Sequence, residues 1–150
     1  MAVVNGDDAA VHYLVAVAYS RGLSHLLNIR DTRCGHTALH MAVVVDRPSF
    51  ARLLIVAGAS LDVRSRLGQT PMLIACAQRR TRCLVLLTRP VADSEQHQLM
   101  KYCTDVGLSL PSLPLPVHLP DTNLLDFAGI QCRQRVSNTG NVTCKRYTQR

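Results

Sequence analysis

The sequence predicts an all-α solenoid of short helix-turn-helix pairs with β-turn fingers between them and a partly disordered C-terminus. Three observations carry this. First, GHTALHMAVVVDRPSFARLLIVAGASLDVRSRL from Gly35 and GQTPMLIACAQRRTRCLVLLTRP from Gly68 repeat one another at an offset of 33 residues. Second, apolar residues make up 47% of the 150-residue chain, yet aromatics are only 4% and Trp is absent. The core must therefore be built from Leu, Val, Ala, Ile and Met, which suits short helices in close contact. Third, no helix in the repeating segments is long enough to be stable alone in water, so each needs a neighbour in a stack.

A 33-residue period built on G-x-T-[AP]-x-x-x-A is the signature of the ankyrin repeat. The signature positions are Gly35, Thr37, Leu39, His40, Ala42 and Gly58 in the first copy, then Gly68, Thr70, Pro71 and Ala75 in the second. Residues 1–34 read as a partial N-terminal repeat. A helix is expected over 7–21, capped by Asp7 or Asp8, ended by Gly22, and apolar at Val11, Leu14, Val15 and Ala18. Residues 35–67 form a complete repeat. Thr37 opens a helix through Val45 with Leu39 and Ala42 inward. Asp46 to Pro48 turn, with Asp46 as cap of the next helix, and a second helix runs from about Ser49 to Val56. Gly58 ends it, and Ala59 to Leu67 project as a finger. Residues 68–90 copy the helices: Thr70 and Pro71 start the first, Gln78 to Arg80 turn, and Thr81 to Leu87 supply the second with Cys83, Leu84 and Leu87 inward.

The period then fails, because Lys101 stands where the next repeat glycine would fall. Residues 91–120 are expected as a loop or insertion, since Pro111, Pro114, Pro116 and Pro120 forbid a helix across their stretch. Residues 121–132 resemble the start of a further repeat, and the polar, basic 133–150 is expected to be a disordered tail.

The formal charge is +7, distributed as +6 over residues 1–90, −4 over 91–127 and +5 over 128–150. The basic side chains are scattered, with no dense basic helix face interleaved with aromatics, so direct nucleic-acid binding is not expected. No apolar run approaches the roughly 20 residues that span a bilayer, and the N-terminus lacks a basic stretch followed by an apolar one. No membrane association is expected, and a cytoplasmic location, with shuttling to the nucleus, follows. The six cysteines form no C-x-x-C pair and no Cys/His cluster with zinc spacing, so reduced thiols and no metal are expected, with Cys76 and Cys83 as small core residues.

From LLNIRD before the first repeat, through VVVDRPSF at its turn, to the irregular connection after the second repeat, the chain resembles the IκB family, the Cactus-type inhibitors of Rel/NF-κB transcription factors. The resemblance is good over residues 7–90 and weak over 121–132. It implies a non-enzymatic regulator that binds a Rel/NF-κB-type dimer and masks its nuclear-localisation segment. The finger residues carried over are Arg30, Asp31, Thr32 and Arg33, then Asp62, Arg64, Ser65 and Arg66. The inner-helix ends add Val44, Val45 and Asp46, then Gln78, Arg79 and Arg80. The chain departs from the family in several places. Leu73 replaces the repeat histidine of the second copy, no acidic tail follows, and residues 1–90 are basic where the family's binding surface is often acidic. A truncated or alternatively ended member, or a short virus-encoded relative, is the reading these departures suggest.

Thr37 and His40 are read as structural, bonding within and between repeats, and the glycines as backbone devices. There is no Ser-His-Asp set in a recognisable context, no phosphate-cradling loop and no paired carboxylates on one face, so an enzyme is not expected and no cofactor is implied. The alternatives are a generic ankyrin adaptor with another protein partner, or a fragment that binds nothing. A stack this short is expected to expose apolar repeat ends and to self-associate through them.

Overall fold

In the computed structural model, residues 5–109 are described throughout, together with the backbone of 130–131 and 145–146. Six α-helices follow one another among them: α1 Asp8–Ser20, α2 Ala38–Val44, α3 Pro48–Val56, α4 Pro71–Ala77, α5 Thr81–Thr88 and α6 Asp93–Asp105. A 3₁₀ turn at Ser24–Asn28 follows α1. Two-residue strands, β1 at Ile130–Gln131 and β2 at Lys145–Arg146, pair antiparallel with Ile130 opposite Arg146. Residues 145–146 thus form backbone pairing inside the stretch expected to be disordered. The rest of that tail, the prolines and nearly all of 121–132 lie outside the described residues.

The two repeats stack in register. Helix α2 packs on α3 and α4 on α5 within a repeat, while α2 meets α4 and α3 meets α5 between repeats. This gives an inner layer of α2 and α4 and an outer layer of α3, α5 and α1. One core runs through it, with Leu39, Ala42, Val43, Phe50, Leu54, Leu73, Ala75, Cys83 and Leu87 all buried.

Local chemistry sets the helix ends. Asp7 caps α1, its side chain accepting the Ala10 N–H at 3.2 Å. Thr37 and Thr70 cap α2 and α4 in the same way, through the N–H groups of His40 and Leu73. Asp46, expected as a cap, has another role. Arg47 occupies the N-cap position of α3, and Asp46 sits at φ 58° as the left-handed residue that ends α2. Its equivalent 33 residues on, Arg79, has φ 56°. Both turns are closed by backbone bonds, from Arg47 N–H to Ala42 O and from Arg80 N–H to Ala75 O, each 2.8 Å. A side chain in this conformation costs roughly 1–2 kcal/mol.

Helix α6 falls inside the stretch expected to be a loop. The segment Asp93–Asp105 contains neither Pro nor Gly, and its buried residues are Leu99 and Cys103, one turn apart. Its apolar stripe is that narrow because it docks on one side only. It packs against α1 and α3, on the outer layer, instead of starting a third repeat. Cys103 Sγ lies 3.7 Å from Ala16 O, and the rings of His12 and Tyr102 meet edge-on at 5.8 Å.

Arg52 fixes that placement. It is 9% exposed and spends all five of its N–H donors. Nε donates to Glu95 Oε1 at 2.9 Å, and one terminal nitrogen donates to Leu86 O at 3.1 Å and Arg89 O at 2.9 Å. The other donates to Pro90 O at 2.8 Å and to Glu95 Oε2. The three carbonyls belong to the frayed end of α5 and the link beyond it, where backbone acceptors lack helical partners. Glu95 Oε2 also accepts the Ala92 N–H at 3.0 Å, ahead of the first turn of α6.

Two other expectations change. Leu14, expected inward, is 59% exposed and lines an apolar groove of about 350 Å³ with Val11, Leu23, Leu26, Ala38 and Leu54. The groove opens between α1, the 3₁₀ turn and the first residue of α2. Cys76, expected as a reduced thiol, is disulfide-bonded, whereas Cys34, Cys83 and Cys103 are free.

Two outcomes follow. Arg52→Met leaves Glu95 and three carbonyls without their donor and is expected to lower stability by about 3 kcal/mol in urea unfolding. The same variant should lose hydrogen-exchange protection first across Leu99–Cys103. Arg79→Gly relieves a left-handed residue and is expected to raise stability by roughly 1 kcal/mol in the same titration; no gain would show that the turn is unstrained.

Candidate functional site

The expected binding residues sit on two neighbouring features, the fingers and the far ends of the inner helices. The first finger, residues 29–36, is a turn built around Asp31. Its Oδ1 accepts the N–H groups of Cys34 at 2.6 Å and Gly35 at 2.9 Å, and its own N–H donates to His36 O at 2.8 Å. The Cys34 N–H holds the Asp31 carboxyl below the usual carboxylate range, with Gly35 and Arg33 N–H groups acting in the same sense. Gly35 has φ 69°, and a Cβ there would lie 3.0 Å from the backbone nitrogen of Arg66. Both reasons require glycine, because the second finger presses against the first at that point.

The fingers are tied to each other. Arg66 N–H donates to Cys34 O at 2.9 Å, Ser60 N–H to Asn28 Oδ1 at 2.8 Å, and an Arg30 terminal nitrogen to Arg64 O at 3.3 Å. Arg64 also closes its own finger by donating to Gly68 O at 3.0 Å. Ser65, expected at the surface, is buried. Its Oγ accepts the Gln69 N–H at 3.2 Å and its N–H donates to Gln69 O at 2.9 Å, so it is a turn-closing residue. The exposed finger positions are Arg30, Asp31, Thr32, Arg33, Asp62 and Arg66. Two apolar neighbours were missed in the sequence: Ile29 and Leu67 are 63% and 67% exposed on these same fingers. Large side chains projecting into solvent beside arginines were visible in the sequence only as apolar residues in an irregular stretch.

At the inner-helix ends, Gln78 and Arg79 are exposed and Val44 and Val45 are half-buried. Asp46 and Arg80 face each other at 3.3 Å, each more than a third exposed, and an Arg80 terminal nitrogen reaches Val44 O at 3.4 Å. An exposed pair of this kind contributes little energy and mainly orients the two turns. The Cys83 thiol lies 3.6 Å from Asp46 Oδ1, and burial pushes it up to about 11, with Asp46 adding to the shift.

His40 links finger to helix. It is fully buried. Its Nδ1 accepts the Thr37 N–H at 3.1 Å and lies 2.8 Å from Thr37 Oγ, while Nε2 faces Gln69 O at 3.0 Å. The last contact requires Nε2 to carry the proton and donate, which fixes the neutral tautomer. Burial lowers its pKa to about 4. Thr37 and His40 thus join one repeat to the next.

Among the described residues, Asp31, Cys34 and His36 form a group whose potential metal-ligating atoms all lie within 4.8 Å of one another. The spacing D-x-x-C-x-H differs from the common zinc-ligand spacings. No described helix is long and apolar enough to cross a membrane.

The comparisons agree with this architecture. The family described as ankyrin repeats in three copies matches residues 1–97. Human B-cell lymphoma 3 protein is 42% identical over 86 residues, covering 56% of this chain and 18% of that protein. Chicken NF-kappa-B inhibitor alpha is 37% identical over 76 residues, covering 51% and 24%. The chain therefore spans about a fifth of the length of these relatives. The crystal structure of the ankyrin repeat domain of Bcl-3, described as a unique member of the IkappaB protein family, is similar with a TM-score of 0.51 at 28% identity. That match covers 83% of this chain and 57% of the other.

His40 makes stability pH-dependent. The unfolded imidazole takes up a proton near pH 6.5, whereas the native one resists until about 4. Stability is therefore full above 6.5 and falls as the pH drops toward 4, by roughly 2 kcal/mol at pH 5. The Arg52 hydrogen bond holds Glu95 down to about 2, so its contribution is lost only below about 4.5, in a separate window. Urea unfolding at pH 7 and 5 is expected to show the loss, and His40→Leu, the residue type of Leu73, is expected to flatten it.

Proposed function

The chain belongs to the ankyrin-repeat family, and from that premise we propose that it is an IκB-like, non-enzymatic regulator that grips a Rel/NF-κB-type dimer. The observation that carries this is the position of α6. It covers the outer layer on α1 and α3, and leaves the fingers and inner-helix ends open. The open face has apolar anchors at Ile29 and Leu67 beside Arg30, Arg33 and Arg66. Arginine is enriched at binding hot spots. Thr32, Asp62, Gln78 and Arg79 form the polar rim, with Val44 and Val45 contributing apolar edge.

In this reading the bound chain covers the localisation segment of the partner, and so acts in the cytoplasm or on a shuttling complex. The charge of the face favours a second reading of the same site. Arg30, Arg33, Arg66 and Arg79 repel a basic localisation segment and suit an acidic partner surface, which fits an adaptor for a different protein as well as a Rel dimer held by another patch. The groove beside Leu14 and Leu26 adds a third contact, through which copies would associate.

The test is capture of Rel homology regions, with and without their localisation segments, at moderate salt. Arg33→Glu/Arg66→Glu is the variant of choice, because Arg64 closes its own finger and its loss would disturb the fold. Salt-resistant capture weakened about 10-fold or more by the double variant is expected. Capture that is independent of the localisation segment would remove masking from the proposal, and no capture by the folded chain would leave the adaptor reading.

A further inference from the structure

We infer that Asp31, Cys34 and His36 bind one divalent cation of the zinc type at the tip of the first finger. The inference is independent of which protein the fingers grip.

The three side chains lie within six residues, and their ligating atoms are within 4.8 Å of one another. A tetrahedral ion with Zn–S near 2.3 Å and Zn–N and Zn–O near 2.0–2.1 Å needs donors roughly 3–4 Å apart. Side-chain rotation supplies that contraction, because the backbone is already held. Asp31 Oδ1 binds two backbone N–H groups, His36 O accepts from Asp31 N–H, and Cys34 O accepts from Arg66 N–H. The His36 ring is stacked on His40, 5.4 Å away and 13° from parallel, which orients the imidazole. Gly35, in its left-handed conformation, turns the chain between Cys34 and His36.

Each ligand retains donor capacity. The two hydrogen bonds measured to the Asp31 carboxylate both fall on Oδ1, and Cys34 is a free, exposed thiol. Thiolate, imidazole and carboxylate together select a borderline-soft ion with three protein ligands and an open fourth position. Calcium and magnesium prefer oxygen-only sets. Two anionic ligands neutralise the ion's charge, so the nearby Arg30, Arg33 and Arg66 face a neutral complex. Bonds from Asp31 Oδ1 to backbone N–H groups hold the carboxylate as outer-shell contacts commonly do.

The test uses the full chain, anaerobic and without reductant so that the Cys76 disulfide persists. Cobalt(II) is the spectroscopic probe and zinc the competitor. One equivalent of cobalt is expected, with a thiolate charge-transfer band and tetrahedral ligand-field bands that zinc abolishes. Cys34→Ser should remove the charge-transfer band. Asp31→Asn keeps an Oδ1 acceptor for the finger turn, so it should keep the far-UV spectrum while weakening binding about 10-fold or more. His36→Gln should weaken binding to a similar extent. Zinc should also slow alkylation of Cys34, located by mass spectrometry, by a similar factor. A thiolate band that survives in Cys34→Ser, failure of the folded chain to take up cobalt, or alkylation of Cys34 unaffected by zinc would overturn the site.

Discussion

Everything beyond the two repeats depends on one buried guanidinium. Arg52 reaches from α3 to the carbonyls that end α5 and to Glu95 at the start of α6, and every N–H it has is matched by an acceptor. The arrangement answers two needs at once. The end of α5 has carbonyls without helical partners, and a cation is favoured at the negative end of a helix. The carboxylate of Glu95 completes the charge balance, which a buried arginine requires. Its hydrogen bond to Ala92 N–H then starts α6 beside the same point. The position of α6 on the outer layer thus follows from how the previous helix is terminated.

Within the repeats a second device works at shorter range. His40 joins Thr37, in its own repeat, to Gln69 O at the start of the next, and Arg66 N–H returns a bond to Cys34 O in the preceding finger. Helix layers carry the hydrophobic energy, while these polar links set the spacing of the fingers. The finger tips are therefore presented at a fixed separation even though their side chains are exposed. In the second copy the imidazole position is Leu73, which is buried and makes no such link. Finger spacing is consequently set from the N-terminal side of the stack.

Much of this was legible in the sequence. Thr37 and Thr70 before apolar runs, Pro71 at a helix start and Gly58 at a helix end are local signals, and the helices begin and end within a residue or two of them. The two largest misses, α6 and Arg52, share a cause: each depends on contacts between residues far apart in the chain. Helix α6 buries only Leu99 and Cys103 deeply, so its composition looks like a polar linker, and its partners on α1 and α3 lie tens of residues earlier. Arg52 reads as an ordinary charge on a helix until Glu95, 43 positions away, is brought to it. Ser65 reads as an exposed finger residue, and its burial comes from a local turn in which it bonds Gln69, four positions on. Asp31, Cys34 and His36 follow no common zinc spacing, and it is the finger turn that places their ligating atoms within 4.8 Å of one another.

An ankyrin stack is ordinarily a one-dimensional object in which each repeat touches its neighbours and the ends need polar caps. Here the last described helix returns to the first. Cys103 lies against Ala16 O across 87 positions of sequence, and Tyr102 meets His12. Two helices that would each end a short stack with exposed apolar surface cover one another instead. That contact converts a row of nearest-neighbour interactions into a closed set, so α1 cannot fray without also uncovering α6. The cost is that the part of the outer layer on α1 and α3 beneath α6 is no longer available as a surface. The fingers and inner-helix ends lie on the opposite side and are untouched by the closure, and so the device that stabilises a short stack also decides which face of it meets a partner.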